Sequence, residues 1–292
     1  MPIPVFRQAQ DPGGADAALR LETGLVARWL VRFLQDECTE KRGIGKAVIG
    51  LSGGVDSAVV AYLSARAFGP ENVTCFLMPY RLSSPESLTH AGLVVDALGV
   101  DQRTIEITQM VDGYASVHEE GISDARLGNV CARCRTTVLF DQSAKLGALP
   151  IGTGNKTERF FGYFTWHADD APPINPLGDL FKTQVWDLAR ELGVPEVIVN
   201  KAPTADLVKG QTDEGDFGIS YQLADRILIR LVRGWSDEKL VAAGFEEKDV
   251  RLVRHRVSST HWKRHLPTVA MLSDTSLHEY YLRPVDYQGV QR

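Results

Sequence analysis

The sequence predicts an α/β fold in which a mostly parallel sheet is flanked by helices, followed by a helical C-terminal extension. Short runs rich in β-branched residues alternate with stretches of helical periodicity, which is typical of parallel strands joined by crossover helices. At residues 47–60, AVIGLSGGVDSAVV, an apolar run ends in a glycine turn that leads into a second apolar run. After residue 155 polar loops and helical patterns predominate.

The first half contains the predicted strands. Apolar residues at helical spacing predict a helix from residue 16 to about 40. KAVIGL has the continuous apolar character of a buried strand, and Gly69-Pro70 closes the helix that follows it. The alternation then predicts strands over 46–51, 72–79, 102–107 and 148–154, and helices over 56–68, 85–99 and about 124–147.

The second half is predicted to be loops and helices. Proline, glycine and aspartate predict a loop at 167–179, and a long polar loop follows at 201–218. Helices are predicted at 182–193 and from the second loop to about 264, before an irregular tail. We expect a single domain over residues 1–292, with a core at about 44–200 and C-terminal helices and a tail at about 218–292.

Composition restricts the classes of function. The net charge of −5 argues against a partner bound mainly through nucleic-acid phosphates. No apolar run approaches the roughly 20 residues of a membrane helix, and the first residues lack the apolar segment of a secretory signal. Four cysteines without such a signal indicate reduced thiols. We therefore expect a cytoplasmic protein with neither a membrane nor a nucleic-acid partner.

The turn SGGVDS predicts a phosphate-binding site that includes a metal ion. Anions bind where a parallel strand ends and the next helix begins. Gly53 and Gly54 allow close backbone approach, and Ser57 adds a hydroxyl. A carboxylate repels a phosphate unless a cation lies between them, so Asp56 is the predicted Mg²⁺ ligand. The alternative is a helix capped by Ser or Asp after a tight turn.

The turn resembles the signature of the ATP pyrophosphatases, which cleave ATP between its α- and β-phosphates. Further stretches resemble, in order and separation, the blocks of the NAD synthetase family, so the similarity spans roughly residues 46–267. The resemblance implies an adenine nucleotide alpha-hydrolase-like fold. The N-terminus lacks room for a glutaminase domain, so the ammonia-dependent form is expected. The blocks are GNVCARCRTTVLFDQSAK (128–145), GTGNKTERFFGYFT (152–165), INPLGDLFKTQVWDLA (174–189) and KAPTADLVKGQTDEGDFGISY (201–221).

The resemblance also implies the chemistry and the partners. ATP, ammonia and deamido-NAD are the expected substrates, and Mg²⁺ is the expected cofactor. The nicotinate carboxylate would attack the α-phosphate of ATP and release pyrophosphate, and ammonia would then displace AMP. A homodimer is implied, with the deamido-NAD site near the subunit interface, and the apolar first helix is the predicted subunit contact.

Matching the family motifs assigns residues to each ligand. No residue is assigned as a nucleophile; Lys182, Asp56 and Glu158 are expected to support adenylation. A lysine is useful there because negative charge builds on the departing pyrophosphate. The metal ligands are Asp56 and Glu158. The ATP-binding residues are Gly50, Leu51, Ser52, Gly53, Gly54, Val55, Asp56, Ser57, Thr153, Lys182 and Thr204. The residues expected to bind deamido-NAD are Arg133, Trp166, Pro173, His261, Trp262 and Lys263. Arg135, two positions after Arg133, is a further candidate for this contact.

The acceptor side departs from the family pattern. In FTWHADDAPPINP, Trp166 stands where the family has lysine, and Pro173 where it has aspartate. Either Asp169 or Asp170 takes over the carboxylate role, or the loop packs differently with the substrate unchanged. In HWKRHLP, Trp262 takes the slot of the family histidine.

Three other functions stay open at this point. The altered loop would favour amidation of nicotinate mononucleotide to NMN. A nucleotide sensor without catalysis is a second alternative, but it has little use for both Asp56 and Glu158. A tRNA-thiolation enzyme is a third, and the acidic balance with no evident RNA-binding extension argues against it.

Two spacings resemble metal sites. Cys131 and Cys134 form C-x-x-C, but only two other cysteines remain, in different elements, so a closed four-ligand site is not expected. His261 and His265 have an i, i+4 spacing without a clear third ligand, which favours solvated helix histidines.

Overall fold

A computed structural model of the chain describes residues 17–204, 212–265, 268–273 and 275. Its centre is a sheet of four parallel strands in the spatial order β3-β2-β1-β4. The prediction of an α/β fold with a mostly parallel sheet is therefore confirmed. The strands are β1 (Ala47–Gly50), β2 (Val73–Leu77), β3 (Asp101–Thr104) and β4 (Leu149–Pro150).

Strand β1 lies inside the sheet and carries the glycine turn at its carboxyl end. Ala47 is paired with Val73 of β2 on one side and with Leu149 of β4 on the other. Beyond β4, a parallel bridge joins Ile151 to Ile174. The carboxyl edge of the sheet thus brings the glycine turn and the segment after β4 side by side.

Helices cover the sheet and build the C-terminal part of the described chain. Among them no helix is both long and apolar enough to cross a bilayer. Their bounds are α1 (Thr23–Leu34), α2 (Val55–Phe68), α3 (Pro85–Leu98), α4 (Thr108–His118), α5 (Asp124–Leu146), α6 (Lys156–Phe161), α7 (Lys182–Leu192), α8 (Glu196–Val199), α9 (Asp213–Phe217), α10 (Tyr221–Leu231), α11 (Asp237–Ala242) and α12 (Glu247–Ser259), with a π-helical turn at Gln35–Glu40 and short 3₁₀ turns at Ala17–Leu19, Pro70–Asn72 and His261–Arg264.

Alternate residues of the central strands face two different apolar cores. Ile49 and Cys75 pack in a cluster with α1, α2 and α7, whereas Val48 and Phe76 pack in a cluster with α4 and α5. Successive side chains of a strand point to opposite faces, so both faces of the sheet are covered. A third cluster joins α9, α10 and α12 to α6 and α7, and it connects the C-terminal helices to the sheet domain.

Most of the apolar face of α1, the helix suggested by the sequence as a subunit contact, packs within the chain. Val26, Ala27, Leu30 and Leu34 are buried against α2 and α7 of the same chain. Leu25, on the same helix, is exposed. The role of the first helix as a subunit contact stays a prediction.

Some element boundaries differ from the sequence prediction. The strand expected at 148–154 is only two residues long, because Gly152 N–H donates to Ile174 C=O (2.7 Å) where the glycine-rich segment leaves the sheet. Helix α4 was missed; it contains Gly113 and several β-branched residues of low helix propensity. Helix α9 lies inside the predicted loop 201–218, of which residues 205–211 lie outside the described part, as does most of the predicted tail.

Candidate active site

A cavity of about 600 Å³ lies at the carboxyl end of β1, where the glycine turn joins β1 to α2. Residues 50–52 and 54–57 form one wall. Further lining residues come from the start of α3, residues 124–139 of α5, the segments after β4 and after α6, Glu158 of α6, Lys182 of α7 and residues 201–204. Ligands bind at this position in open α/β sheets, and the volume is in the range of small-molecule sites.

Gly53 gives the turn its shape. Its φ of +76° lies in the left-handed region, where side chains are strained. A Cβ atom at this position would lie 2.2 Å from the carbonyl oxygen of Ser87, at the start of α3. Glycine is therefore required both by the backbone conformation and by the close packing of the turn against α3.

Two serines connect the turn to the start of α2. Ser57 Oγ accepts from Ser52 N (3.2 Å) and donates to Gly54 C=O (3.0 Å). Gly54 N donates in turn to Ser52 Oγ (3.3 Å). These bonds hold the N-terminus of α2, with its partial positive charge, against the cavity.

Lys182, the first residue of α7, lies between two carboxylates. Its side chain is almost fully buried, and its ammonium group contacts Asp56 Oδ2 and lies 3.5 Å from Glu158 Oε1. Asp56 Oδ1 accepts from Asn155 Nδ2 (3.0 Å). Three separate elements, α2, α6 and α7, thus bring two carboxyl groups and one ammonium group together.

Asn155 holds Glu158 through a capping box at the start of α6. Glu158 N donates to Asn155 Oδ1 (3.0 Å), and Asn155 N donates to Glu158 Oε2 (3.3 Å). Since the same side chain also contacts Asp56, Asn155 fixes both acidic groups. The sequence analysis missed this residue, although N-K-T-E has the spacing of a capping box.

Burial and neighbouring charges shift the pKa values in this site. Burial raises the pKa of Glu158 to about 8; Lys182 opposes this shift, while Asp56 and Asp213 add to it. Burial favours a lower pKa for Lys182, but Asp56 and Glu158 outweigh it and raise that pKa, so the ammonium group stays protonated. Burial also raises the pKa of Asp213, whose Oδ1 has no hydrogen-bond partner among the described residues. These acidic groups would be stabilised by a bound cation.

The predicted nucleotide and metal residues come together at this cavity. Gly53 shapes the turn without lining the cavity itself. The roles of these residues stay predictions, but their convergence from distant parts of the chain is the arrangement that those roles require. The predicted residues that line the cavity are Gly50, Leu51, Ser52, Gly54, Val55, Asp56, Ser57, Thr153, Glu158, Lys182 and Thr204.

Most predicted acceptor residues form a second group, beside the cavity rather than among its lining residues. Arg133 Nη2 donates to Trp166 C=O (3.2 Å), and the Trp166 and Trp262 rings meet edge to face at 5.2 Å. The Lys263 ammonium group donates to two backbone carbonyls of the cavity wall after α6. We call Arg133, Trp166, Trp262 and Lys263 the tryptophan cluster. Arg135, by contrast, lines the cavity.

The structure separates the remaining acceptor candidates. Pro173 and His261 are exposed and lie away from the cavity lining, whereas the neighbouring Pro172 and Asp169 are part of it. Of the two carboxylates considered for the acceptor, Asp169 rather than Asp170 therefore faces the cavity. The His261 Nδ1 atom lies 2.8 Å from a backbone carbonyl at the end of α12.

The structure describes the surroundings of both residue pairs whose spacing resembles a metal site, the two cysteines and the two histidines. Cys131 is buried in the core between the sheet and α5, and burial raises the pKa of both Cys131 and Cys134, which keeps the thiols protonated near neutral pH. His261 and His265 are exposed, with ring centroids 6.4 Å apart. Neither pair contacts the acidic group at Lys182.

Several charged residues of the cavity wall were not assigned from the sequence, among them Lys201 and Asp213. Lys201 lines the cavity, its side chain is 15% exposed, and its Nζ donates to Ser87 Oγ (3.3 Å). Lys201 could have been found from the block KAPTADL, in which only Thr204 was assigned to the site. Asp213 was not assigned because it lies in a stretch that was interpreted as a polar loop.

Comparison with known proteins identifies the family. Residues 26–267 match the family described as NAD synthase. The NH(3)-dependent NAD(+) synthetase of Trichlorobacter lovleyi is 49% identical over 89% of this chain and 94% of its own length. The solved NH3-dependent NAD synthetase of Campylobacter jejuni is 30% identical with a TM-score of 0.73, and covers 86% of this chain and 100% of its own. An NMN synthetase structure from Francisella tularensis is 29% identical with a TM-score of 0.76, covering 86% and 99%.

The family match spans the positions of the glycine turn, Glu158 and Lys182, and the T. lovleyi relative is covered over 94% of its own length. The resemblance noted in the sequence is therefore confirmed, and the chain belongs to the NAD synthase family.

Proposed function

We propose that the chain catalyses the ATP-dependent amidation of deamido-NAD with ammonia, which yields NAD, AMP and pyrophosphate. The observation that supports this most is the buried Lys182 between Asp56 and Glu158, beside a glycine turn at a helix N-terminus. Relatives that this chain covers almost completely carry the name NH(3)-dependent NAD(+) synthetase. ATP is a substrate throughout that family.

Magnesium fits the residues of this site. Mg²⁺ prefers oxygen ligands and is usually bound by one or two carboxylates together with substrate phosphates. Asp56 and Glu158 offer two carboxylates, and Asp213 adds a buried oxygen without a partner among the described residues. The described residues contain no group of three or more His, Cys, Asp or Glu that would hold a metal alone. Bound with the nucleotide, Mg²⁺ would supply positive charge to the phosphates.

Different residues of the chain serve different steps of the reaction. The glycine turn and the α2 N-terminus bind the phosphates. Lys182 stabilises the negative charge that develops on the departing pyrophosphate, and the two carboxylates hold Lys182 in place. The acceptor carboxylate attacks the α-phosphate and forms a mixed anhydride with AMP; ammonia then attacks the acyl carbon, and AMP leaves. Because the substrate supplies the nucleophile, the enzyme needs to orient the two partners rather than to attack.

The acceptor side supports a second candidate, the amidation of nicotinate mononucleotide to NMN. The tryptophan cluster has an aromatic pair where the family pattern has lysine and histidine. A solved NMN synthetase also has a TM-score of 0.76 with this chain. Both reactions share the carboxylate, the adenylation and the nucleotide residues, and they differ in the part of the acceptor beyond the nicotinate ribotide.

A substrate panel tests the proposal. Purified protein is incubated with ATP, Mg²⁺ and ammonia together with either deamido-NAD or nicotinate mononucleotide, and the release of AMP and pyrophosphate is measured. We expect turnover with deamido-NAD at least tenfold faster than with the mononucleotide. Turnover with the mononucleotide alone would overturn the first candidate in favour of the second, and turnover with neither would overturn both.

We further propose that the chain works as one unit in the cytoplasm. It comprises an ATP pyrophosphatase core at about 44–200 and C-terminal helices and a tail at about 218–292. The packing of α10 against α6 and α7 supports one unit, because it connects the C-terminal helices to the residues of the site. We propose a homodimer from the family resemblance. Light scattering tests this, and a monomer at assay concentration would contradict it.

A further inference from the structure

Helix α10 carries a carboxyl group inside an apolar core. Asp225 is fully buried, and its neighbours on the same helix, Ala224, Ile227 and Leu228, belong to the third apolar cluster. A buried carboxylate is costly unless its oxygens receive hydrogen bonds. Its presence at the centre of this cluster therefore calls for partners that compensate the cost.

Both oxygens of Asp225 have such partners. Oδ1 accepts from Thr157 Oγ1 (2.5 Å), while Oδ2 accepts from Thr183 N (2.9 Å) and Thr183 Oγ1 (2.8 Å). Thr157 Oγ1 also accepts from Lys182 N (3.0 Å). The Lys182 amide, the Thr157 hydroxyl and the Asp225 carboxylate thus form one chain of hydrogen bonds.

These bonds connect the two helices that carry the charged residues of the site. Thr157 precedes Glu158 in α6, and Thr183 follows Lys182 in α7. The two backbone donors from α7, Lys182 N and Thr183 N, are first-turn amides, which have no acceptor within their own helix. One carboxylate from α10 therefore determines how the N-termini of α6 and α7 are placed relative to each other.

We propose that Asp225 is a positioning residue for the adenylation step, which fixes Lys182 and Glu158 relative to each other through Thr157 and Thr183. The inference rests on the proposed function of the site. Asp225 does not line the cavity and does not reach a substrate. Asp225 affects catalysis by maintaining the 3.5 Å distance between Lys182 Nζ and Glu158 Oε1.

Four variants separate positioning from general support of the fold. Thr157→Val removes the hydroxyl between Lys182 and Asp225 with little change in volume, and Thr157→Ser restores it. Asp225→Asn keeps the shape of the side chain but replaces one acceptor by a donor. Leu228→Ala is the matched control, because it leaves a cavity in the same helix and core without touching these hydrogen bonds.

Each variant is measured in three ways: acceptor-dependent ATP–pyrophosphate exchange, the rise in melting temperature on addition of MgATP, and the melting temperature without ligand. We expect Thr157→Val and Asp225→Asn to lower kcat for exchange at least tenfold and to reduce the MgATP-dependent rise, with an unchanged KM for the acceptor. Thr157→Ser should stay within twofold of the parent. Leu228→Ala should melt earlier while it retains exchange and the MgATP response.

The proposal is overturned if Thr157→Val and Asp225→Asn behave like Leu228→Ala, with earlier melting but normal exchange and MgATP response. A parent protein that shows no exchange with either acceptor would instead overturn the proposed function. In that case the rise in melting temperature on addition of MgATP alone decides whether Asp225 is a positioning residue. An equal rise in parent and variants overturns that role, and a reduced rise in the variants supports it.

Discussion

The nucleotide end of the cavity and the tryptophan cluster beside it differ in how their side chains are held. At the nucleotide end, Lys182 contacts two carboxylates, and Asn155 fixes both of these from a third direction. In the tryptophan cluster, Arg133 and Lys263 donate to backbone carbonyls, and Trp262 is 51% exposed. At the nucleotide end the charged groups are held against one another, whereas the tryptophan cluster presents aromatic surface and holds its cations against main-chain carbonyls.

This difference corresponds to the two tasks of the reaction. The phosphates of ATP are the same for every acceptor, so a preorganised arrangement of charges is suited to them. The acceptor varies between related reactions, and its recognition rests on residues that depart from the family pattern here. We therefore expect substitutions at the nucleotide end to abolish adenylation, and substitutions in the tryptophan cluster to change acceptor preference.

The largest effect is expected from Lys182→Ala. Removing the ammonium group leaves Asp56 and Glu158 unpaired and takes away charge stabilisation of the departing pyrophosphate, so ATP–pyrophosphate exchange should fall by about 10³-fold. Lys156→Ala is the control, since Lys156 pairs with the exposed Asp179 at 2.7 Å. An equal loss in both variants would mean that Lys182 has no specific role.

Glu158→Gln tests charge separately from capping. Glutamine can still accept from Asn155 N, so the capping box persists while the negative charge is lost. We expect exchange to fall by about 10²-fold with a higher Mg²⁺ requirement, and a melting temperature close to that of the parent. Glu158→Ala should in addition lose about 1 kcal/mol of stability with the cap. Unchanged Mg²⁺ dependence in Glu158→Gln would exclude Glu158 as a metal ligand.

Asp225 gives stability a defined pH dependence. Burial raises its pKa to about 6, although Thr157 and Thr183 donate hydrogen bonds that oppose the shift. Between about pH 4 and 6 the folded protein keeps a proton that the unfolded chain has released, so this group's contribution to stability is lost as pH rises. This group changes the free energy of unfolding by at most about 3 kcal/mol. Denaturant titrations from pH 4 to 7 should therefore give a flatter profile for Asp225→Asn; an identical slope would contradict the raised pKa.

Gly53→Ala should destabilise the turn itself. The added Cβ would meet the Ser87 carbonyl in a backbone conformation with positive φ, so we expect a loss of about 1–3 kcal/mol and weaker ATP binding. Gly92→Ala is the matched control in α3, where nothing lies within 4 Å of the added atom. That variant should be neutral or stabilising by about 0.5–1 kcal/mol. Calorimetry compares the two, and equal effects would exclude the steric explanation.

The smallest effect is expected from Trp166→Lys, which restores the family residue. Adenylation chemistry should be unaffected at saturating acceptor, while KM for deamido-NAD should change about threefold to tenfold, or about 1 kcal/mol. Steady-state kinetics with both acceptors measures this change. An unchanged KM for each acceptor would make Trp166 a bystander and would remove the main support for the NMN alternative.

Much of the nucleotide end was predictable because its signals are local. The turn SGGVDS and Glu158 each lie in short motifs at the junction of a strand or loop with a helix. Asn155 has a local signal as well, the capping-box spacing. Asp225 has none, because its partners lie 42 and 68 residues away and only the tertiary packing of α10 brings them into contact.

The acceptor side was less predictable, because matching residue positions does not determine where side chains lie. Pro173 occupies the slot of a family aspartate, yet it is Pro172 and Asp169 that line the cavity. The apolar pattern of α1 suggested a subunit contact, and the structure shows that much of this apolar face packs on α2 and α7 of the same chain. Periodicity identifies an apolar face and does not identify what covers it.

The contact between Gly53 and the Ser87 carbonyl has a consequence for inhibitor design. An anionic compound bound at this turn would lie against the main-chain atoms of a segment whose shape requires glycine at position 53, where no side chain is tolerated. Resistance through substitution of Gly53 would carry the cost of a distorted turn. The tryptophan cluster, in which Arg133 and Trp262 are exposed, offers no comparable constraint, so durable compounds should derive their affinity mainly from the turn.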